Sequence, residues 1–175
     1  MLQKIVMQLK NSGDQVVTYN WGSLMHGAIL ELLPLEIAER LHQSSLRPFS
    51  QYIIPDSDNR VNWHIGIWDN EIAGILVPTL LSLKSIEIKH KKANLEVIEI
   101  KNIIRSYKDY FATFFTQAEI CRRYEIEFLT PCTHKRDGRY VIFPGIDLII
   151  LSLSRKYSEF SSEFSLNDPE VTQEL

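Results

Sequence analysis

The stretch that decides the fold is NWGSLMHGAILELLPLEIAERLHQSSLRPFSQYIIP, residues 20–55. Apolar residues recur at helical spacing over 24–32, and a second apolar run with helical periodicity covers 35–42. Pro34 separates the two runs, because proline is tolerated in the first turn of a helix and not in its interior. Residues 49–54 then read as a strand. The stretch therefore predicts two short helices followed by a strand.

Outward from this stretch, the pattern predicts a complete α+β domain. Residues 4–10 alternate apolar and polar, as a half-buried strand does. After the turn at Asp56, residues 61–68 read as a strand antiparallel to 49–54, and Asn70 is predicted to cap a helix that runs to about residue 83. A hairpin or bent strand follows, and the order β-α-β-β-α-β predicts a ferredoxin-like fold over residues 1–103.

Residues 104–175 predict a second, partial ferredoxin-like domain. Ser106 is a predicted N-cap for a helix that continues to about residue 121. A strand at 124–129, a basic loop, a short strand at 140–143 and an apolar-striped helix from Ile146 to Phe160 complete the unit. This unit would contain only part of the ferredoxin-like order.

Composition narrows the class of protein without assigning a function. The chain has 175 residues, 45% of them hydrophobic, and a net charge of −3, which is typical of a globular protein and not of a strongly basic nucleic-acid binder. Cys121 and Cys132 do not make a disulfide framework or a zinc spacing, which predicts reduced thiols and a cytoplasmic location. The sequence shows no secretory signal and no apolar run of membrane-spanning length.

Two clusters of basic residues are the candidate nucleic-acid contacts. Clustered positive charge can hold phosphates and position RNA without reading its sequence. The first cluster follows the third predicted helix of the N-terminal domain, and the second lies in the basic loop of the C-terminal unit. The candidates are Lys89, Lys91 and Lys92 in the first cluster, and His134, Lys135, Arg136 and Arg139 in the second.

Several motifs together resemble one known family. They are Leu41-His42 at a helix end, Phe49-Ser50 opening a strand, Phe128-Leu129-Thr130-Pro131, Gly138-Arg139-Tyr140, and a Pro-led helix containing Ser152-Leu153 and Tyr157. In these features the chain resembles the endoribonucleases that process CRISPR repeat RNA, the sixth Cas protein family of the RAMP superfamily. The resemblance covers nearly the whole chain. Family members usually end in a glycine-rich loop, whereas every glycine here lies at or before Gly145, so the resemblance implies a chain that lacks the C-terminal part.

The resemblance also implies a catalytic site. His42 matches the family's catalytic histidine, Arg47 matches a position held by a catalytic lysine in some members, and His26 matches a position held by tyrosine or histidine. His42 and His26 would transfer protons, and Arg47 would steady the phosphate. Each residue also has an ordinary structural interpretation: His42 as a cation at a helix C-terminus, His26 as a core histidine and Arg47 as a surface arginine.

The family's reaction is metal-independent cleavage of RNA by the neighbouring 2′-hydroxyl, which leaves a 2′,3′-cyclic phosphate and needs no cofactor. The implied partners are CRISPR repeat RNA and other Cas proteins, with a homodimer as a further possibility and no membrane. Two alternatives stay open at this point. One is a non-catalytic RNA-binding RAMP subunit or inactive homologue, and the other is a ferredoxin-like protein-interaction module that pairs through its strand edges.

Overall fold

A computed structural model describes residues 1–44, 46–115, 123, 125–129, 132, 134–136, 138–143 and 145–161, without the side chains of residues 111, 114 and 115. The chain divides into two compact units, Met1–Thr130 and Pro131–Leu175. The predicted boundary between residues 103 and 104 stays a prediction. None of the helices in the described ranges is long and apolar enough to cross a membrane.

The first unit is built on a five-stranded antiparallel sheet with the order β2-β3-β1-β5-β4. Alternating apolar residues form these strands because successive side chains point to opposite faces of a sheet. β1 lies in the middle and pairs with both β3 and β5, and the register to β5 shifts between Gln8 and Leu9. The strands are β1 (Leu2–Asn11), β2 (Phe49–Pro55), β3 (Arg60–Ile67), β4 (Ser85–Ile88) and β5 (Ala93–Arg105).

Helices connect these strands in the predicted β-α-β-β-α-β order, with β4 added as the outer strand of a hairpin. The structure therefore confirms the α+β class and the ferredoxin-like arrangement of the first unit. Two short helices occupy the first crossover and one helix the second. They are α1 (Gly22–Glu31), α2 (Leu35–Gln43) and α3 (Asn70–Ser82), and α4 (Tyr107–Phe115) follows β5.

One face of the sheet and the inner sides of α1 to α3 enclose the core. The core residues of the strands include Ile5, Met7 and Trp63, which are fully buried, and the helices contribute residues such as Met25 and Leu76. Lys4, next to Ile5 on β1, is exposed. Burial of these side chains supplies the main driving force for folding and fixes which strand residues face the helices.

The start of α3 differs from the sequence-based prediction. The N-cap is Asp69, whose side chain accepts a hydrogen bond of 2.9 Å from the backbone N–H of Ile72. Asn70, the predicted cap, is instead the first residue of the helix. The correction has a simple reason: aspartate and asparagine are about equally good caps, and the sequence offers both in succession.

α4 begins as predicted, since the hydroxyl of Ser106 accepts a hydrogen bond from the N–H of Asp109. The predicted extension of this helix over residues 116–121 lies outside the described residues. The predicted strand at 124–129 is wrong over 125–129, where the backbone is not in a strand. Ile126 and Leu129 are more than half exposed there, so β-forming residues alone did not produce a strand.

The second unit contains a hairpin and a helix. β6 (His134–Arg136) pairs with β7 (Arg139–Val141), and α5 covers Ile146–Phe160 as predicted. The first part of the predicted basic loop is therefore a strand, and the strand predicted at 140–143 starts and ends earlier. Gly138 has a positive φ of 76°, which the turn requires and which glycine adopts without strain.

Candidate functional site

His26 lies on the side of α1 that faces the start of β2. Its imidazole stacks on the ring of Phe49, with 5.5 Å between the centroids and an interplanar angle of 27°. Phe49 is buried, so the histidine rests on a fixed surface, while its own side chain stays half-buried. Burial lowers the pKa of His26 below its ordinary value of 6.5, and the positive charges of Arg47 and His42 lower it further.

His42 is exposed in the last turn of α2. Its neighbour Leu41 is buried, which fixes α2 on the core and sets the direction in which the next side chain points. Glu36 in the first turn and Arg40 and His42 in the last turn complement the helix dipole. A salt bridge of 2.9 Å joins Arg40 to Glu71 of α3, but both side chains are more than half exposed and the pair contributes only about 0–1 kcal/mol.

Arg47 lies in the connection between α2 and β2. Its guanidinium Nη1 donates a hydrogen bond to the backbone carbonyl of Ser44, the C-cap residue of α2. The next residue, Pro48, is buried, and its carbonyl accepts a hydrogen bond of 3.1 Å from the N–H of Trp68. The side chain of Arg47 is therefore tied to the helix end, and its backbone is tied to the sheet.

The three predicted catalytic residues come from three different segments, and two of them affect the electrostatics of the third. His26 is on α1, His42 ends α2 and Arg47 precedes β2, yet the charges of His42 and Arg47 both act on the His26 imidazole. Both positive groups therefore favour the neutral form of the His26 imidazole.

The lysines of the first basic cluster lie on the other side of α1. Lys89 and Lys91 lie in a 3-10 turn after β4. A cavity of about 180 Å³ between α1 and this turn is lined by residues that include Gly27, Glu31 and Lys89. His26 is one residue before Gly27, about 100° away around the helix. Because β2 and β4 form opposite edges of the sheet, the structure does not bring these lysines to the two histidines.

Two of these lysines already have partners within the protein. Lys89 forms a salt bridge of 2.8 Å with Glu31, which raises the pKa of the lysine. The ammonium of Lys91 lies 5.7 Å from the centroid of the Trp21 ring, a cation–π distance. Lys92 is exposed in the left-handed region, with φ of 48°, at the turn into β5.

The second basic cluster lies on the hairpin of the C-terminal unit. The ammonium of Lys135 is 4.7 Å from the centroid of the Tyr140 ring, and Arg136 pairs with Asp147 at the start of α5. This pairing lowers the pKa of the Asp147 carboxyl. Arg139 is exposed on β7, and the structure places it opposite Arg136 in the hairpin register.

A larger cavity lies on the opposite face of the sheet and contains none of the predicted site residues. It measures about 530 Å³ and is lined by residues that include Lys4, Tyr52, His64 and Tyr110. His64 stacks on Tyr52 across β2 and β3 at 4.5 Å, as expected for a cross-strand pair. Burial lowers the pKa of His64, with a smaller effect from Lys4.

Sequence reasoning did not single out two residues that support the histidine site. Phe49 forms the surface under His26, and Gln51 connects α1 to the core through hydrogen bonds. The alternation of residues along β2 could have identified both, since it predicts that Phe49, Gln51 and Ile53 point to the helix-covered face. A polar residue between two buried apolar ones needs hydrogen-bonding partners.

Comparison with known proteins shows that the chain is similar to CRISPR-associated endoribonucleases. It is 26% identical over 137 residues to the CRISPR-associated endoribonuclease Cas6 of Mycobacterium tuberculosis strain CDC 1551 / Oshkosh, a match that covers 78% of this chain and 44% of that protein. It is 28% identical over 150 residues to the Cas6 of Streptococcus thermophilus, covering 85% of this chain and 58% of that protein. The chain thus spans about half the length of these curated relatives. No family model matches the chain.

The fold also matches a solved structure. A Cas6 product complex superposes with a TM-score of 0.69, which covers 97% of this chain and 69% of that one at 20% identity. At that identity the likeness establishes a shared fold and no more.

Proposed function

We propose that the chain, which is 26–28% identical to Cas6 endoribonucleases over most of its length, cleaves CRISPR repeat RNA as a metal-independent endoribonuclease. The observation that supports the proposal is that His26 stacks on Phe49 at the start of β2 and that the charges of Arg47 and His42 act on its imidazole. RNA cleavage by its own 2′-hydroxyl requires a base at that hydroxyl, an acid at the leaving oxygen and a cation beside the phosphate. Two imidazoles and a guanidinium can meet all three requirements.

His26 is the proposed general base. Its lowered pKa keeps the imidazole neutral at neutral pH, and only the neutral form can accept a proton. It would take the proton of the 2′-hydroxyl while the 2′-oxygen forms a bond to phosphorus. The bond from phosphorus to the 5′-oxygen then breaks, and a 2′,3′-cyclic phosphate results.

His42 is the proposed general acid. It lies in the last turn of α2, and its exposure leaves it accessible to a bound RNA. It would donate a proton to the departing 5′-oxygen, which leaves as a hydroxyl. The reaction then balances, with one proton taken by His26 and one given by His42.

Arg47 is the proposed stabiliser of the phosphorane charge. Arginine does not titrate in this range, so it can serve this role but not a proton-transfer role. Its hydrogen bond to the carbonyl of Ser44, the C-cap residue of α2, holds the guanidinium at the end of the helix that carries His42. A cation held in place before the reaction costs little reorganisation when the negative charge develops.

The two basic clusters are the proposed RNA-binding surfaces. Lys92 is exposed at the turn into β5, whereas Lys89 and Lys91 must exchange their contacts with Glu31 and Trp21 for contacts with phosphate. His134, Lys135, Arg136 and Arg139 would contact phosphates from the hairpin of the second unit. Contacts of this kind position RNA and make its affinity depend on salt. Association with other Cas proteins, a homodimer and a cytoplasmic location stay predictions.

The experiment is cleavage of a labelled repeat RNA from the host of this protein, with EDTA present, by wild type and three variants. His42→Ala and His26→Ala should each lower the cleavage rate by about 10²-fold or more, since each removes a proton-transfer group. Gln43→Ala, on the exposed neighbour of His42, is the matched control and should cleave at the wild-type rate. Binding of RNA by all variants with undiminished cleavage by the histidine variants would refute the assignment. Salt-sensitive binding with no cleavage by wild type would favour the non-catalytic RNA-binding alternative.

A further inference from the structure

We propose that Gln51 is a positioning residue for the reaction, one that holds His26 at its working place by tying α1 to the core of the sheet. This inference rests on the proposed function, because it assigns a role to Gln51 through His26.

Gln51 uses both ends of its side-chain amide. The indole N–H of Trp63 donates to Gln51 Oε1 at 2.9 Å, and Gln51 Nε2 donates to the backbone carbonyl of Gly22 at 2.8 Å. Trp63 is fully buried in β3, so it provides a fixed anchor. Gln51 thereby connects the core of the sheet to the first residue of α1.

The carbonyl of Gly22 is directly relevant to His26. In an α-helix the carbonyl of residue i accepts the N–H of residue i+4, and His26 is four residues after Gly22. The N-cap residue of α1, Trp21, makes no side-chain capping hydrogen bond. Gln51 does not act as a cap, because it donates to a carbonyl and leaves the free N–H groups of the first turn unbonded by it, but it ties the first residue of α1 to β2.

β2 holds His26 at two points. Gln51 fixes the backbone turn that leads to His26, and Phe49, two residues earlier on the same face of the strand, lies under the imidazole. Loss of the first contact should let α1 move at its N-terminal turn, and the ring stack with Phe49 would then loosen. The imidazole would move relative to His42 and Arg47.

The chemistry of this position favours glutamine over an apolar residue. Its neighbours on the same face, Phe49 and Ile53, are buried, so an apolar residue would satisfy packing alone. Only an amide supplies an acceptor for the Trp63 indole and a donor for the Gly22 carbonyl at the same time. Glutamate keeps the acceptor and, when ionised, loses the donor.

The test uses the full chain with three substitutions. Gln51→Met removes both hydrogen bonds, and Gln51→Glu keeps the acceptor for Trp63 but removes the donor to Gly22. Gln3→Met is the matched control, because Gln3 donates a single side-chain hydrogen bond of 2.9 Å to Asn102 on the β1–β5 pair. Circular dichroism checks folding, and Gln51→Glu serves as the informative variant where Gln51→Met does not fold.

Two measurements report on the role. NMR of ¹³C/¹⁵N-labelled histidine follows the titration of His26 and the ring-current shift that Phe49 imposes on its protons. Single-turnover and steady-state cleavage separate kcat from KM. Both Gln51 variants should move the His26 pKa toward its ordinary value, reduce the ring-current shift, and lower kcat by about 10- to 10²-fold with KM within about twofold of wild type. Gln3→Met should change none of these.

The outcomes separate this inference from the proposed function. Unchanged His26 signals in folded Gln51→Glu would overturn the inference, whether or not cleavage falls. Altered His26 signals with unchanged kcat would also overturn it, because the position of His26 would not matter to the reaction. Absence of cleavage by wild type would refute the proposed function itself, and Gln51 would then hold a histidine that performs no reaction.

Discussion

At the scale of single residues, His26 has the environment that most clearly departs from an ordinary surface histidine. Its ring rests on buried Phe49, and its pKa is lowered first by burial and then by two nearby positive groups. The sequence could indicate His26 only through family resemblance, because a histidine in an apolar helix is equally typical of a core. Its stacking on Phe49 and its coupling to Arg47 depend on how α1 crosses β2, which local pattern does not encode.

The first prediction concerns the pH dependence of cleavage. A general base must be neutral, so the low-pH limb of the rate should rise with pH through the pKa of His26. Since that pKa is lowered, the rising limb should lie below pH 6.5. Removal of the Arg47 charge removes one cause of the lowering, so Arg47→Ala should move the limb toward higher pH.

A pH profile of single-turnover rates for wild type, Arg47→Lys and Arg47→Ala measures this effect. Arg47→Lys keeps the charge and should keep the limb near its wild-type position. Arg47→Ala should also lower the plateau rate by about 10²-fold, as expected for loss of a group that stabilises transition-state charge. A limb at the same pH in Arg47→Ala and wild type would show that His26 is not the titrating base.

At the scale of elements, periodicity predicted the helices and strands of the first unit well and their ends less well. Strand β2 was identified from six residues, but the hydrogen bonds of Gln51 to Gly22 and Trp63 join residues 29 and 12 positions apart. Such contacts follow from tertiary packing and not from spacing. The strand predicted at 124–129 failed for a related reason, since strand formation depends on a pairing neighbour as much as on β-forming residues.

The second prediction tests the corrected start of α3. Asp69→Ala removes the side chain that accepts the Ile72 N–H and should lower the free energy of unfolding by about 1 kcal/mol. Asn70→Ala is the matched control: its side-chain oxygen accepts a hydrogen bond from the exposed N-terminal amine of Met1, and its loss should change stability much less. Urea unfolding at neutral pH measures both. If Asn70→Ala lowered the free energy of unfolding as much as Asp69→Ala or more, Asn70 would be the N-cap residue.

At the scale of the whole molecule, the order of elements was enough to predict the α+β class and the ferredoxin-like arrangement of the first unit. The sequence indicated that the histidines and the lysines serve one function, but it did not give their relative positions. The structure puts the lysines on the opposite side of α1 from His26, so a bound RNA would extend around this helix to reach both. The acidic residues of the C-terminal tail beyond residue 161 lie outside the described residues.

The third prediction concerns RNA affinity and its dependence on salt. Lys92→Ala should weaken binding of repeat RNA and reduce the slope of log K against log salt by about 1, as loss of one phosphate contact does. Glu31→Gln should strengthen binding, because it releases Lys89 from its salt bridge. Lys108→Ala on α4 removes an exposed lysine outside both clusters and is the matched control.

Filter binding or fluorescence anisotropy at several salt concentrations gives these slopes directly. Equal salt-dependence slopes for Lys92→Ala, Lys108→Ala and wild type would show that Lys92 does not contact the RNA phosphates. Weaker binding in Glu31→Gln would show that the Lys89–Glu31 pair itself supports the RNA-binding surface.

The measurement that tests the central claim most directly is cleavage in EDTA of a repeat RNA with a single 2′-deoxynucleotide at the position that is cut. Mass spectrometry identifies the ends of the products. We expect the all-ribose RNA to yield a 2′,3′-cyclic phosphate and a 5′-hydroxyl, and the 2′-deoxy RNA to bind equally well and remain intact. Cleavage of the 2′-deoxy RNA at that position, or dependence of cleavage on an added divalent metal, would contradict a reaction carried by His26, His42 and Arg47.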